Sequence, residues 1–298
     1  MATMLLPAQT VTLERVDHLF QTSAGTPGQI ATPYSFEAHL RGGGVNMSGW
    51  GAAFYKPGTG NTPDSGASGS TNTGTLNFPA APNNGALDYL FANHFADDTS
   101  LQAFYPTGSY GVLFNGSSPP SPASFTAGLA FNSNTYSAAA PQISEVDNGA
   151  LWSGGLQVST TGITTLTFNS GSFGEYGSGF GTIAGAGLYD SFGNVIASTN
   201  SFYIGSLGLT QSVITQLAVD GSLLTPGANY TLEIQYGILA SAPGTATLDG
   251  TAFMGLSIYY NNTAVNLTAV PEPSSFAAGA GLFALGLAAW CRRRTVTS

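Results

Sequence analysis

The chain has 298 residues, room for about two domains of ordinary size, and at 43% hydrophobic it can bury a substantial core. Charged residues make up only 7%, beside 40 Gly and 16 Pro, which disfavours a helical protein: surface helices need Lys, Glu and Arg on their wet faces, whereas short strands manage with Ser, Thr and Asn. The formal net charge is −9, and three of the six basic residues stand together near the C-terminus, so the rest of the chain lacks the basic footprint that phosphates require and no nucleic-acid partner is expected.

In chain order, residues 1–8 (Met-Ala-Thr-Met-Leu-Leu-Pro-Ala) have neither a charged n-region nor a full apolar h-region, and they read as the remnant of a longer signal peptide cleaved near Ala8. Short alternating runs bounded by turn residues follow, with no helical periodicity of useful length. Val11 to Arg15, Tyr34 to Leu40 and Trp50 to Tyr55 are the first predicted strands. Residues 56–75 form a low-complexity Gly/Ser/Thr/Asn loop with too little apolar area to order itself. The stretch from Asn84 to Asp98 fits a short helix or a strand equally well.

In the second half, strands are predicted at Leu156 to Val158, Thr164 to Phe168, Gly185 to Tyr189, Val195 to Ser198, Val213 to Val219, Tyr230 to Tyr236 and Phe253 to Tyr260. Asp190-Ser-Phe-Gly-Asn reads as a hairpin turn, and Asp220-Gly221 and Asp249-Gly250 as turn dipeptides. Pro106-Thr-Gly-Ser-Tyr110 and Pro226-Gly-Ala-Asn-Tyr230 repeat one order of Pro, Gly, Tyr and strand, in which the tyrosine hydroxyl can close a corner by bonding back to the backbone. The expected fold class is therefore all-β: two antiparallel β-sandwiches in tandem, residues 9–137 and 138–269, joined near Tyr136 to Pro141. Leu224 to Leu232 is similar to the segment entering strand F of fibronectin type III and immunoglobulin-like domains.

Signals for catalysis are thin. No Gly-x-Ser-x-Gly elbow, dinucleotide fingerprint or phosphate-binding loop occurs, and the glycines read as turns. The close acid pairs are Asp97 with Asp98 and Glu145 with Asp147; the first point to opposite faces if in a strand, and Asp147-Asn148-Gly149 reads first as a turn. A single cysteine, Cys291, excludes an intramolecular disulfide framework and Cys-clustered metal sites. His18, His39 and His94 show no metal-binding spacing and read as polar surface residues, so no metal or cofactor site is assigned, with weak calcium binding by the acid pairs left as an alternative. Trp50 and Trp152 either fill cores or form a platform for sugar rings.

The tail has three parts. Pro271-Glu272-Pro273 leads into an uncharged apolar segment, 276–291, and then Arg292, Arg293 and Arg294. As a helix the sixteen-residue segment extends about 24 Å, slightly short of a roughly 30 Å hydrocarbon core, a deficit that snorkelling and local thinning can close. The arginines would orient it with the C-terminus in the cytoplasm and the body on the opposite side. In that order, residues 270–298 resemble the PEP-CTERM sorting signal of Gram-negative bacteria. The resemblance implies recognition by an exosortase, cutting near Pro271, Glu272 and Pro273, an inner-membrane precursor and a mature form at the cell surface or in the extracellular matrix of an exopolysaccharide producer. The implied partners are the exosortase, the membrane through the C-terminal helix, and exopolysaccharide. The expected role is non-enzymatic, structural or adhesive; the alternatives are a carbohydrate-binding module or a polysaccharide-active enzyme.

Overall fold

The computed structural model describes residues 9–41, 50–57, 76–77, 88–133 and 135–271. The predicted signal-peptide remnant, most of the low-complexity loop, the apolar segment 276–291, Glu272, Pro273 and Arg292 to Arg294 lie outside the described residues. Among the described residues no helix is long and apolar enough to cross a membrane.

Among the described residues the fold is all-β, as the composition predicts, with one short α-helix. The first half contains β1 (Thr10–Phe20), β2 (Gly28–Arg41), β3 (Trp50–Tyr55), β4 (Leu76–Asn77), β5 (Asp88–Phe95), α1 (Asp98–Phe104), β6 (Gly108–Ser109), β7 (Gly111–Gly116), β8 (Ser124–Phe125) and β9 (Ala130–Phe131). Next come β10 (Ile143–Val146), β11 (Leu151–Trp152), β12 (Leu156–Ser159), β13 (Ile163–Phe168), β14 (Thr182–Tyr189) and β15 (Val195–Ile204). The last strands are β16 (Leu209–Thr210), β17 (Gln216–Asp220), β18 (Asn229–Leu239), β19 (Gly244–Leu248) and β20 (Thr251–Val270). The ambiguous stretch before Asp98 is thus strand β5, and the helix begins after it, capped by the Asp97 carboxylate accepting from the Ser100 N–H.

A large mixed sheet runs β16-β15-β14-β18-β20-β1-β2-β5, with β11, β12 and β19 attached. Its spine is β20. Along one edge β20 pairs first with β19 and then with β18, both antiparallel; along the other it pairs with β1 and then with β12, both parallel. The wholly antiparallel arrangement expected from the sequence is corrected by these two parallel ladders.

Period-two alternation divides β20 between two faces. Its odd residues carry two cores in succession. Phe253 and Tyr259 join a cluster with Val11, Leu13, Phe36 and the residues of β3, β7 and β8; Val265, Leu267 and Ala269 join a second with β12, β13, β14, β17 and β18. Smaller sheets, β4-β3-β7-β8 and β10-β13-β17, pack on these clusters. The even residues Met254, Leu256, Ile258 and Tyr260 form a third cluster on the opposite face with Val16, Ile183, Phe202 and Ile204.

Between the two cores stands Asn261, 5% exposed, whose Nδ2 donates to the carbonyls of Ser137 and Ala139, both at 2.9 Å. Gln21, at the end of β1, exchanges two hydrogen bonds with the Ile143 backbone, at 2.9 and 3.0 Å. A division at 137/138 therefore cuts across shared pairing: strands from both sides of it lie in one sheet, with β20 in both cores. Both tyrosine corners are present. Tyr110 Oη donates to the Pro106 carbonyl at 2.6 Å, and Tyr230 Oη accepts the Thr225 N–H at 2.8 Å.

Candidate functional site

Two regions carry chemistry. The first is the exit of the chain from the fold. β20 stays bonded on both sides to its last residues: Val270 is in register with Ser159, the Val270 carbonyl accepts the Thr160 N–H at 3.0 Å, and the Ala269 N–H donates to Ala228 at 3.0 Å. Pro271, having no N–H and a fixed φ, cannot continue the ladder, so the first residue of the Pro-Glu-Pro motif directly follows a strand held on both edges.

The second region is a polar patch on the face of β1 and β2 opposite the first core. In β2 the apolar Phe36, Ala38 and Leu40 point into that core, so Ser35, Glu37 and His39 must point the other way. In β1 the same logic sends Glu14 and His18 to that face, and the β1–β2 register sets Glu14 directly against Glu37. His39 Nε2 lies 3.7 Å from Glu14 Oε2 and 3.7 Å from Glu37 Oε2. The other oxygen of Glu37 accepts from Ser35 Oγ at 2.6 Å and lies 3.5 Å from His18 Nε2, which is 2.8 Å from Ser35 Oγ. His94, on β5, completes the group with its ring 5.7 Å from that of His18. Glu37 and His39 are almost fully buried. Burial by itself pushes the Glu37 carboxyl up, but its contacts with His18, His39 and Ser35 outweigh burial and hold it well below the usual carboxylate range.

The three histidines, expected as scattered surface residues, are therefore gathered on one face, with His39 buried. The signal was in the alternation of Ser35, Glu37 and His39; the partner Glu14 was not legible, because register is a tertiary property.

The other sequence candidates are used structurally. Asp97 caps α1, and Asp98 in its first turn accepts from the Gln102 side chain. Asp147 Oδ1 accepts the Thr165 N–H at 2.5 Å while Glu145 is exposed, so this pair does not converge on a site. Trp50 is buried, edge-on to Phe114, and offers no face to a sugar; Trp152 packs half-buried on the second core.

No match was found among curated proteins. Among solved structures, one titled "Biofilm associated protein - BSP domain" is 13% identical, with a TM-score of 0.19, covering 88% of this chain and 30% of that one. This chain thus spans less than a third of that chain's length. The C-terminal comparison coincides with the exit from the fold: residues 269–294 match the PEP-CTERM protein-sorting motif, and the chain carries that motif from the last turnless residues of β20 onward.

Proposed function

We propose that this protein is an exported cargo of an exosortase, handled at Pro271, Glu272 and Pro273 and delivered to the cell surface or extracellular matrix, where it acts as a structural or adhesive component without catalysis. The observation that carries this is the match of residues 269–294 to the sorting motif, which implies an exosortase as partner. The fold supports it. β20 is bonded to β12 as far as Val270 and on its other edge as far as Ala269, so the first residue of the motif, Pro271, directly follows the sheet. Segment 276–291 would hold the precursor in the inner membrane, and Arg292, Arg293 and Arg294 would keep its C-terminus cytoplasmic.

The test is the intact mass and location of the protein in its native host with and without the host's exosortase. A C-terminus near Pro271 to Ser275, found outside the cell only when the enzyme is present, supports processing. An uncut tail in the inner membrane under both conditions refutes it.

A second reading, glycan binding, has one observation in its favour. An open groove of about 340 Å³ beside β12 and β18 is lined by Gln157, Ser191, Asn229, Thr231, Asn266 and Thr268, neutral amides and hydroxyls suited to sugar hydroxyls. Pull-down with the host's polysaccharide, lost in Asn229→Ala and Asn266→Ala, would establish it; retention by both variants would exclude the groove.

A further inference from the structure

Two carboxylates directly opposite one another on neighbouring strands repel, and burial strengthens the repulsion. Glu14 and Glu37 are such a pair, with side chains 14% and 3% exposed. A positive charge between them, or a proton on one of them, relieves that repulsion. His39 Nε2 sits 3.7 Å from an oxygen of each. The spacing also approaches a coordination geometry. Ligands about 2.0–2.1 Å from a tetrahedral ion lie roughly 3.3–3.4 Å apart; the two distances from His39 Nε2 are a few tenths of an ångström longer, and all three ligand atoms lie within 4.8 Å of one another.

One feature independent of the three ligands, and one that orients a ligand, point the same way. Thr12, in register with His39 and on the same face as Glu14, is 1% exposed, and its hydroxyl has no hydrogen-bond partner among the described residues. A hydroxyl buried without a partner is costly, and a bound ion or its water would satisfy it. Glu37 is also held from behind: Ser35 Oγ donates to one oxygen, leaving the other turned towards His39. Metal-binding carboxylates are commonly oriented by such outer partners.

We propose that Glu14, Glu37 and His39 bind a single divalent transition-metal ion of the zinc class, with Ser35 orienting Glu37 and Thr12 facing the remaining position. Two carboxylates and an imidazole suit zinc better than calcium, which takes oxygen ligands. The site lies on β1 and β2, remote from the Pro-Glu-Pro exit, and does not depend on the sorting function.

The test uses the full chain, stripped with a chelator and titrated with ZnCl₂. The expected result is one zinc per chain, with Ser35→Ala weakening affinity about 10–100-fold and Glu14→Gln or His39→Gln weakening it further, each with an unchanged circular dichroism spectrum. A readout that needs no variant is the imidazole ¹⁵N spectrum, which holds only three histidines; zinc should displace the His39 Nε2 resonance. Substoichiometric zinc, stoichiometric zinc retained by both Glu14→Gln and His39→Gln, or an unmoved His39 resonance would each overturn the site.

Discussion

Asn261 is the most direct probe of how the two cores are joined. Its side-chain amide donates to two carbonyls of the crossing segment, Ser137 and Ala139, from a position almost closed to solvent. Asn261→Val keeps a good strand former and removes both donors. One orphaned carbonyl is in a buried contact and the other in a partly buried one, so at about 1–3 kcal/mol for the first and somewhat less for the second the loss should be about 2–4 kcal/mol. Asn261→Asp is more informative, because a carboxylate there faces two carbonyl oxygens and can donate to one of them only when protonated. Its folded pKa must rise above the unfolded value. The folded state then binds the extra proton, so this variant should lose stability as pH rises from the unfolded pKa of about 3.9 through the raised folded value. The assay is urea unfolding of the full chain in mild detergent, followed by tyrosine fluorescence and circular dichroism at acid and neutral pH. Wild type should unfold in one transition, since β20 belongs to both cores. A loss below about 0.5 kcal/mol in Asn261→Val, within the range of an ordinary surface substitution, would refute the junction, as would no pH dependence in Asn261→Asp.

Three further outcomes follow from other parts of the fold. A Cβ on Gly255 would stand 1.7 Å from the Ala127 carbonyl oxygen, where the loop bearing Gly128 lies on the Gly244–Gly255 pair; Gly255→Ala should cost at least about 1–3 kcal/mol, while Gly28→Ala, with open space around it, should be nearly neutral. Arg15 is fully buried, donates to the Tyr105 carbonyl at 2.5 Å and lies 4.5 Å from the Phe131 ring centre; Arg15→Ala should cost about 3–5 kcal/mol, but Arg15→Met, of similar volume and free of the guanidinium's desolvation, should stay within about 1.5 kcal/mol of wild type in thermal or urea melts. Burial pushes Tyr259 up to about 12 and holds Tyr110, Tyr136 and Tyr236 higher still. With folded values above the unfolded one, their stabilising contribution is complete below about pH 10 and lost as pH rises beyond it, so in an ultraviolet titration these tyrosines should ionise only together with loss of tertiary circular dichroism.

The candidate site shows how far local pattern reaches. Ser35, Glu37 and His39 alternate with Phe36, Ala38 and Leu40, and period two alone puts the polar three on one face. That the face is closed to solvent, and that Glu14 is the residue opposite Glu37, depends on the register of β1 and β2. His18 and His94 come together for the same reason, through two strand pairings separated by a long stretch of chain.

The sequence by itself determined the strand-rich class, the turns at Asp190, Asp220 and Asp249, the tyrosine corners and the C-terminal sorting motif, because each rests on a local cause: sparse charge, dihedral preference at Asp and Gly, or contiguous residues read as a unit. Tertiary structure alone decided that β20 runs on through Asn261 and Asn262 to Val270. Two adjacent asparagines look like a strand end when only solvent can satisfy them, and Asn261 becomes a strand residue because the Ser137 and Ala139 carbonyls cross above it. It also decided that β1 and β12 lie parallel along one edge of that strand, since pairing between residues 244 and 111 positions apart leaves no trace in any segment's own pattern.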